Sequence, residues 1–266
     1  MVYLTRAFLF VGILFLSACS APPKVARTET EAPLQPTLTT SVKLACIDLS
    51  NYGKRIEKKD VERFAGILKR EQIEILAVQG ITRYPNVKTR VDFVSELASQ
   101  ADMRHVFGES TDIMGRQLGN AVFSVYPIRS NQKKEFDVPS AFSEYALHVA
   151  IDAGARDVTV VSTKLPVNAP PEDLSRCVRT IADLRNTAEM PFVVSGNLPG
   201  LKQVRNAEVF TDIQTSLPEG TGKQLTSRLW YVRRDMFRLI QARIVKTDFG
   251  VMTVADFGLY QQAQKK

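Results

Sequence analysis

From residue 42 onward the chain alternates between two hydrophobic periods. Val42 to Leu49 reads as a strand, and Val61, Phe64, Ala65 and Leu68 then recur at helical spacing among Lys, Glu and Arg, which predicts an amphipathic helix. Ile73 to Gln79 is a short apolar strand. Val91 to Ala101 forms a second amphipathic pattern around Phe93, Val94 and Leu97, and Arg104 to Phe107 another strand, so the first half runs βαβαβ. After Gly119 the pattern changes to strands parted by turns: Asn120 to Tyr126, Tyr145 to Ile151 and Val158 to Thr163. Asp152-Ala153-Gly154-Ala155-Arg156 joins the last two as a hairpin. A third helix, Glu172 to Arg185, follows Pro170-Pro171, and strands are predicted at Phe192 to Val194, Leu229 to Val232 and Val251 to Ala255. Helices and many strands in mixed order predict an α/β sandwich of packed layers.

The first forty residues follow other rules. Arg6 precedes an apolar run from Ala7 to Leu16, and Leu16-Ser17-Ala18-Cys19 places small residues before a cysteine. This resembles the signal peptide and lipobox of bacterial lipoproteins. A run of that length would cover roughly 15 Å as a helix, about half a bilayer core, so it does not read as a permanent span. The resemblance implies cleavage before Cys19 and acylation of its thiol and amino group, with several acyl chains making the anchor stable. Ser20, in place of Asp, implies passage to the outer membrane, facing the periplasm. Pro22, Pro23, Pro33 and Pro36 then lie in a Pro-, Thr- and Ala-rich stretch without periodicity, which reads as an extended tether. The expected partition is therefore 1–18 signal peptide, 19–41 lipidated cysteine and tether, and 42–266 folded domain.

Composition adds two points. With 35 Lys and Arg against 28 Asp and Glu the formal charge is +7, which admits an anionic ligand or membrane surface. The basic residues are spread along the chain, and pairs such as Lys58/Lys59 and Lys133/Lys134 read as solvated faces; nucleic acid is not the expected partner. Beyond Cys19, Cys46 falls in a predicted strand and Cys177 in a predicted helix, and both read as buried thiols.

Five segments resemble, in order, the strand ends of the endonuclease/exonuclease/phosphatase superfamily. Ile73-Glu74-Ile75-Leu76-Ala77-Val78-Gln79-Gly80 is similar to the family's "pDIvaLQE" strand, and Gly119 to Ile128 to its "GNAiLSryPi". Val160 to Leu165 is similar to "vvnTHL", Val193 to Pro199 to "ilaGDfN", and Ala255-Asp256-Phe257 to the terminal "SDH". The resemblance covers roughly residues 42 to 260. It implies the deoxyribonuclease I-like architecture, a four-layer α/β/β/α sandwich of two packed mixed sheets.

The same resemblance implies a divalent-cation phosphoester chemistry, and the chain departs from it at the decisive positions. The family's metal-organising Asn and Glu correspond to Asp48 and Gly80, and Gly80 has no side chain to offer. The "THL" His corresponds to Lys164, the "GDxN" pair to Asn197 and Pro199, and the "SDH" pair to Asp256 and Phe257. Trp230 stands where "rIDYI" has its Asp. Asn197 and Phe257 cannot transfer a proton, and general acid–base catalysis alone contributes a factor of about 100 to 10,000. His105 and His148, the two histidines, lie in predicted strands and read as half-buried strand residues. Trp230 reads as core that plugs the old groove.

These residues point to a pseudoenzyme: a lipid-anchored envelope protein without metal or other cofactor, whose domain serves as a binding or structural module. Its partners are the membrane through Cys19, and an envelope protein or anionic ligand. The alternative is a divalent-metal-dependent phosphoester hydrolase with a rebuilt site using Asp48 and Asp256. Lys164 sharpens the first reading: Asp48 and Asp256 are expected to converge in the old groove, and the Lys164 ammonium either lies within about 4 Å of one of them, a built-in cation where the family binds one, or snorkels to solvent.

Overall fold

The computed structural model describes residues 37–261 except 53–54, 86, 88, 140–144, 166–169, 187–189, 199–209, 219–224, 226 and 233–236. Thus Cys19 and the leader lie outside the described residues. The first sheet contains β1 (Thr37–Asp48), β2 (Ile75–Arg83), β3 (Arg104–Ile113), β4 (Arg116–Ser124), β11 (Phe237–Thr247) and β12 (Gly250–Gln261), in the order β11-β12-β1-β2-β4-β3. The second contains β5 (Ile128–Glu135), β6 (Tyr145–Asp152), β7 (Asp157–Lys164), β8 (Phe192–Asn197), β9 (Phe210–Asp212) and β10 (Arg228–Val232), in the order β5-β6-β7-β8-β10-β9. Each sheet has one parallel pair at its centre, β1 with β2 and β7 with β8, and antiparallel pairs elsewhere.

Strand alternation explains the layers. Along β1, Val42, Leu44 and Cys46 face the opposite sheet, while Ala45, Ile47 and Leu49 face the helices α1 (Lys58–Arg70) and α2 (Phe93–Ala101). Along β8 and β10, Val193, Leu229 and Tyr231 turn inward, and Phe192, Val194, Trp230 and Val232 turn out beneath α3 (Pro171–Asn186). The result is the α/β/β/α sandwich, with one apolar layer between the sheets and one under each helical layer. Helix α1 buries the predicted Val61, Phe64, Ala65 and Leu68, and its start is fixed by the Glu57 amide donating to Asp60 Oδ2 at 2.9 Å. The predicted hairpin joins β6 and β7 in register from Ala146/Thr163 to Asp152/Asp157.

Two expectations change. Strand β1 begins at Thr37, which pairs with Gln261, so the ordered domain takes in residues 37–41, read above as tether. Trp230 is buried, yet it lies under α3 on the outer face of its sheet and does not plug a groove. Cys46 and Cys177 are buried in different layers and form no disulfide.

Candidate functional site

The parallel pairs bring the C-terminal ends of β1, β2, β7 and β8 to one edge of the sandwich. Below this edge lies a buried polar floor. Gln79 Nε2 donates to Ser162 Oγ at 2.8 Å and to Ser195 Oγ at 2.9 Å, while its Oε1 accepts from Ser227 Oγ at 2.6 Å. All four side chains are fully buried, so β2, β7, β8 and the residue before β10 are tied across the two sheets by one amide. Cys46 sits beside this floor; burial pushes its thiol up to about 11, against the hydroxyls of Ser227, Ser195 and Thr253, which pull it down.

Above the floor stands a second cluster. Asp48, at the end of β1 opposite Gln79, is buried and accepts from the Ser50 amide at 2.8 Å and from Ser50 Oγ at 2.5 Å through its Oδ1. Lys164, at the end of β7, donates from Nζ to Ser50 Oγ at 2.5 Å and lies 3.9 Å from Asp48 Oδ2. The Asp48 side chain is 4% exposed and that of Lys164 30%, so the ammonium closes the solvent side of an otherwise buried carboxylate. The expected contact of Lys164 with an acid is present, to Asp48 and not to Asp256.

Gly80 explains why Ser50 sits there. Its φ is +64°, in the left-handed region, and a Cβ placed on it would lie 1.8 Å from Ser50 Oγ. The space that a side chain at position 80 would need is filled by Ser50. Opposite, Tyr145 crosses from the second sheet: its hydroxyl donates to the Gly108 carbonyl and accepts from the Asn120 amide at 2.8 Å.

Asp256 does not join this site. It pairs with Lys43, five residues before Asp48 on β1, and accepts from Gln241 Nε2 at 2.5 Å near the surface. The expected convergence of Asp48 and Asp256 is therefore corrected by register. Phe257 faces the layer between the sheets, stacked on Phe237 at 4.7 Å and against Tyr231 at 5.3 Å. The turn that does reach the β1 end is Thr247 to Gly250, between β11 and β12: a Cβ on Gly250 would lie 4.0 Å from the Asp48 carbonyl, and Phe249 meets Tyr52 at 5.3 Å. Asp248 in that turn faces away, paired with Arg63 at 2.9 Å. Asn197 ends β8 in register with Lys164, and Pro199 lies outside the described residues. His105 and His148 are half-buried in β3 and β6, as expected, and burial lowers the pKa of both.

The residues present do not fit a divalent ion here. A hard cation asks for several oxygen donors, with carboxylates prominent among them. Among the described residues Asp48 is the one carboxylate of this cluster, its Oδ1 is engaged by Ser50, and an ammonium stands 3.9 Å from its Oδ2. Among the described residues no three His, Cys, Asp or Glu side chains gather in a metal-binding group.

Beside the cluster the surface opens into two adjoining cavities of about 340 and 440 Å³ that share Ser50, Tyr52, Gly80, Thr82 and Arg116. The smaller adds Arg55, Tyr84 and Arg90; the larger adds Ser110, Asn120, Tyr145 and Lys164. Among the described residues four cations and no carboxylate line them. Sequence reasoning missed Ser50, Arg55, Arg90 and Arg116, which sit in loops or at a strand start where periodicity carries no signal.

No protein-family model and no curated protein sequence matches the chain. Solved structures do. An endonuclease/exonuclease/phosphatase from Beutenbergia cavernae superposes with a TM-score of 0.66 at 16% identity, over 84% of this chain and 72% of its own. The fold is that of the endonuclease/exonuclease/phosphatase proteins. A family protein from Leptotrichia buccalis gives 0.63 at 11% identity over 80% of this chain and 98% of its own. The human Nocturnin catalytic domain, solved with a bound sulfate anion, gives 0.63 at 13% over 87% and 100%. This endonuclease/exonuclease/phosphatase fold confirms the architecture expected from the five segments; at such identities it speaks for the fold and not for the reaction.

Proposed function

We propose that the chain is a bacterial lipoprotein, anchored in the envelope through lipid on Cys19, whose endonuclease/exonuclease/phosphatase-like domain is a non-catalytic binding or structural module. The observation that carries this reading is the Lys164–Ser50–Asp48 chain. Ser50 Oγ fills the volume above Gly80, and the Lys164 ammonium provides the positive charge next to Asp48. An ammonium supplies positive charge but has no vacant coordination position with which to polarise a phosphoryl group. The substitutions at Asn197, Pro199 and Phe257 support the same reading, because the acid–base carriers of the family chemistry are absent from those positions.

Two measurements test the two halves. Mass spectrometry of the mature protein should find acylated Cys19 at its N-terminus; an unmodified Cys19 would remove the anchor from the proposal. Incubation with DNA, RNA, sphingomyelin and simple phosphomonoesters, with magnesium or manganese, should give no turnover above an EDTA control. Turnover abolished by Asp48→Ala would overturn the non-catalytic half and restore the metal-dependent alternative.

A further inference from the structure

The hairpin between β3 and β4 carries a feature that the fold does not need. Its tip is Met114-Gly115, with φ of +53° and +78°, the two-residue turn whose first position suits Asn and whose second suits Gly. Met114 pays for this left-handed backbone and gains no packing, since it is fully exposed, and Ile113 beside it is 52% exposed. Asp112, the one acid at the tip, has its carboxylate turned back to accept from the Gly115 amide at 2.8 Å and from Gln117 Nε2 at 3.3 Å.

The same hairpin forms a wall of the cationic groove. Arg116 follows the turn directly and lines both cavities. Val87 packs against the turn, its Cγ2 being 3.8 Å from where a Gly115 Cβ would lie, and its carbonyl accepts from the Arg90 amide at 2.9 Å, which sets Arg90 beside the hairpin. Arg90 lies over the Tyr84 ring at 5.6 Å, and Arg55 donates to the Thr89 carbonyl at 2.9 Å. Among the described residues none of Arg55, Arg90 and Arg116 meets a carboxylate, whereas Arg63, Arg83 and Arg129 are all ion-paired.

We propose that this end of the domain docks on an anionic lipid surface, with Ile113 and Met114 entering the interface and Arg55, Arg90 and Arg116 receiving the phosphate of a lipid headgroup in the groove. Apolar side chains at an exposed tip, beside cations that meet no carboxylate among the described residues, combine the two terms that hold peripheral proteins on such membranes. The inference names the ligand class of the non-catalytic module above and rests on that reading. The lipid anchor is compatible with it. Thr37 lies at the opposite end of β1, a strand of about 40 Å, and the 17 residues between Cys19 and Thr37 have a maximum contour of roughly 55 Å, longer than that strand.

The test uses the chain from residue 20 onward without lipid, whose compact unit, Leu34–Lys266, contains all three apolar layers. Sedimentation with vesicles of phosphatidylcholine, with and without phosphatidylglycerol, is the readout. The parent should bind the anionic vesicles at least about ten-fold more tightly than the neutral ones. The Arg90→Gln/Arg116→Gln double variant should lose that preference, and Ile113→Ser/Met114→Ser should lose about ten-fold in binding with an unchanged melting temperature. Met114→Asn separates function from fold, because it should raise the melting temperature through the turn while weakening vesicle binding. Equal sedimentation of the parent and the tip variants, or no sedimentation of the parent, overturns the proposal. So does saturation of the groove by millimolar inorganic phosphate that leaves tip variants and parent indistinguishable, which would assign the groove to a free anion. Since no lipid is attached and no turnover is measured, failure here leaves Cys19 acylation and the hydrolysis assay to be judged separately.

Discussion

The buried floor around Gln79 and the cluster above it, around Ser50, use the same residue types to different ends. In the floor each polar group of the Gln79 amide has a serine partner at ordinary hydrogen-bond distance, and nothing reaches solvent. In the upper cluster a buried carboxylate is satisfied by a serine and by a lysine that remains 30% exposed. The floor is held by neutral hydrogen bonds, whose loss leaves several buried groups unsatisfied at once. The upper cluster is held by a charge at the boundary of solvent, where water can partly replace a lost partner. Stability should therefore depend on the floor more than on the cluster, and the chemistry of the edge on the cluster more than on the floor.

The largest effect is expected from Gln79→Ala. It leaves the hydroxyls of Ser162, Ser195 and Ser227 without their shared partner and opens a cavity between the sheets, at a cost of about 3 kcal/mol or more in urea unfolding. A cost below about 1 kcal/mol would mean that the floor does not tie the sheets together. Next comes Lys164→Met, which uncovers the Asp48 carboxylate and should cost about 1 to 2 kcal/mol, discounted for the exposure of the lysine. If that variant melts like the parent, the ammonium has no structural part and the contrast between the two regions collapses.

The smallest expected effect is on pH dependence. Burial holds His105 and His148 below their ordinary value of 6.5. Between the folded value and 6.5 the unfolded chain binds more protons, so stability is complete above 6.5 and declines as the pH falls below it. Replacing both histidines by glutamine should flatten that decline; an unchanged slope between pH 7 and about 5 would assign it to carboxylates instead.

The parts of the fold that were hard to read share a physical cause. The inner strands were legible because they alternate between two buried faces, as in β1, or carry an apolar run, as Ile75 to Val78 do in β2. Of the four sheet edges only the start of β3, Arg104 to Phe107, was legible. Strand β5, Ile-Arg-Ser-Asn-Gln-Lys-Lys-Glu, is exposed along almost its whole length, and β11 mixes Arg238, Gln241, Arg243 and Lys246 into its run. Strand β9 has three residues, and β3 continues well past Phe107 into polar sequence. Edges carry charge because an apolar edge would pair with other chains, and that charge erases the pattern a reader relies on. Missing β11 also hid the Thr247–Gly250 turn, so Ala255-Asp256-Phe257 drew the resemblance that the register then moved away from Asp48. Lys164 was legible from its place at the end of β7. Ser50 was not, because only the backbone of Gly80 shows that its hydroxyl occupies the space of a missing side chain.

In the proposed reading the Lys164 ammonium takes the place of a bound cation beside Asp48. Titration calorimetry of manganese into the parent and into Asp48→Asn tests it directly. Neither protein should show saturable manganese binding up to millimolar concentration; one-to-one binding by the parent that Asp48→Asn abolishes would contradict that reading.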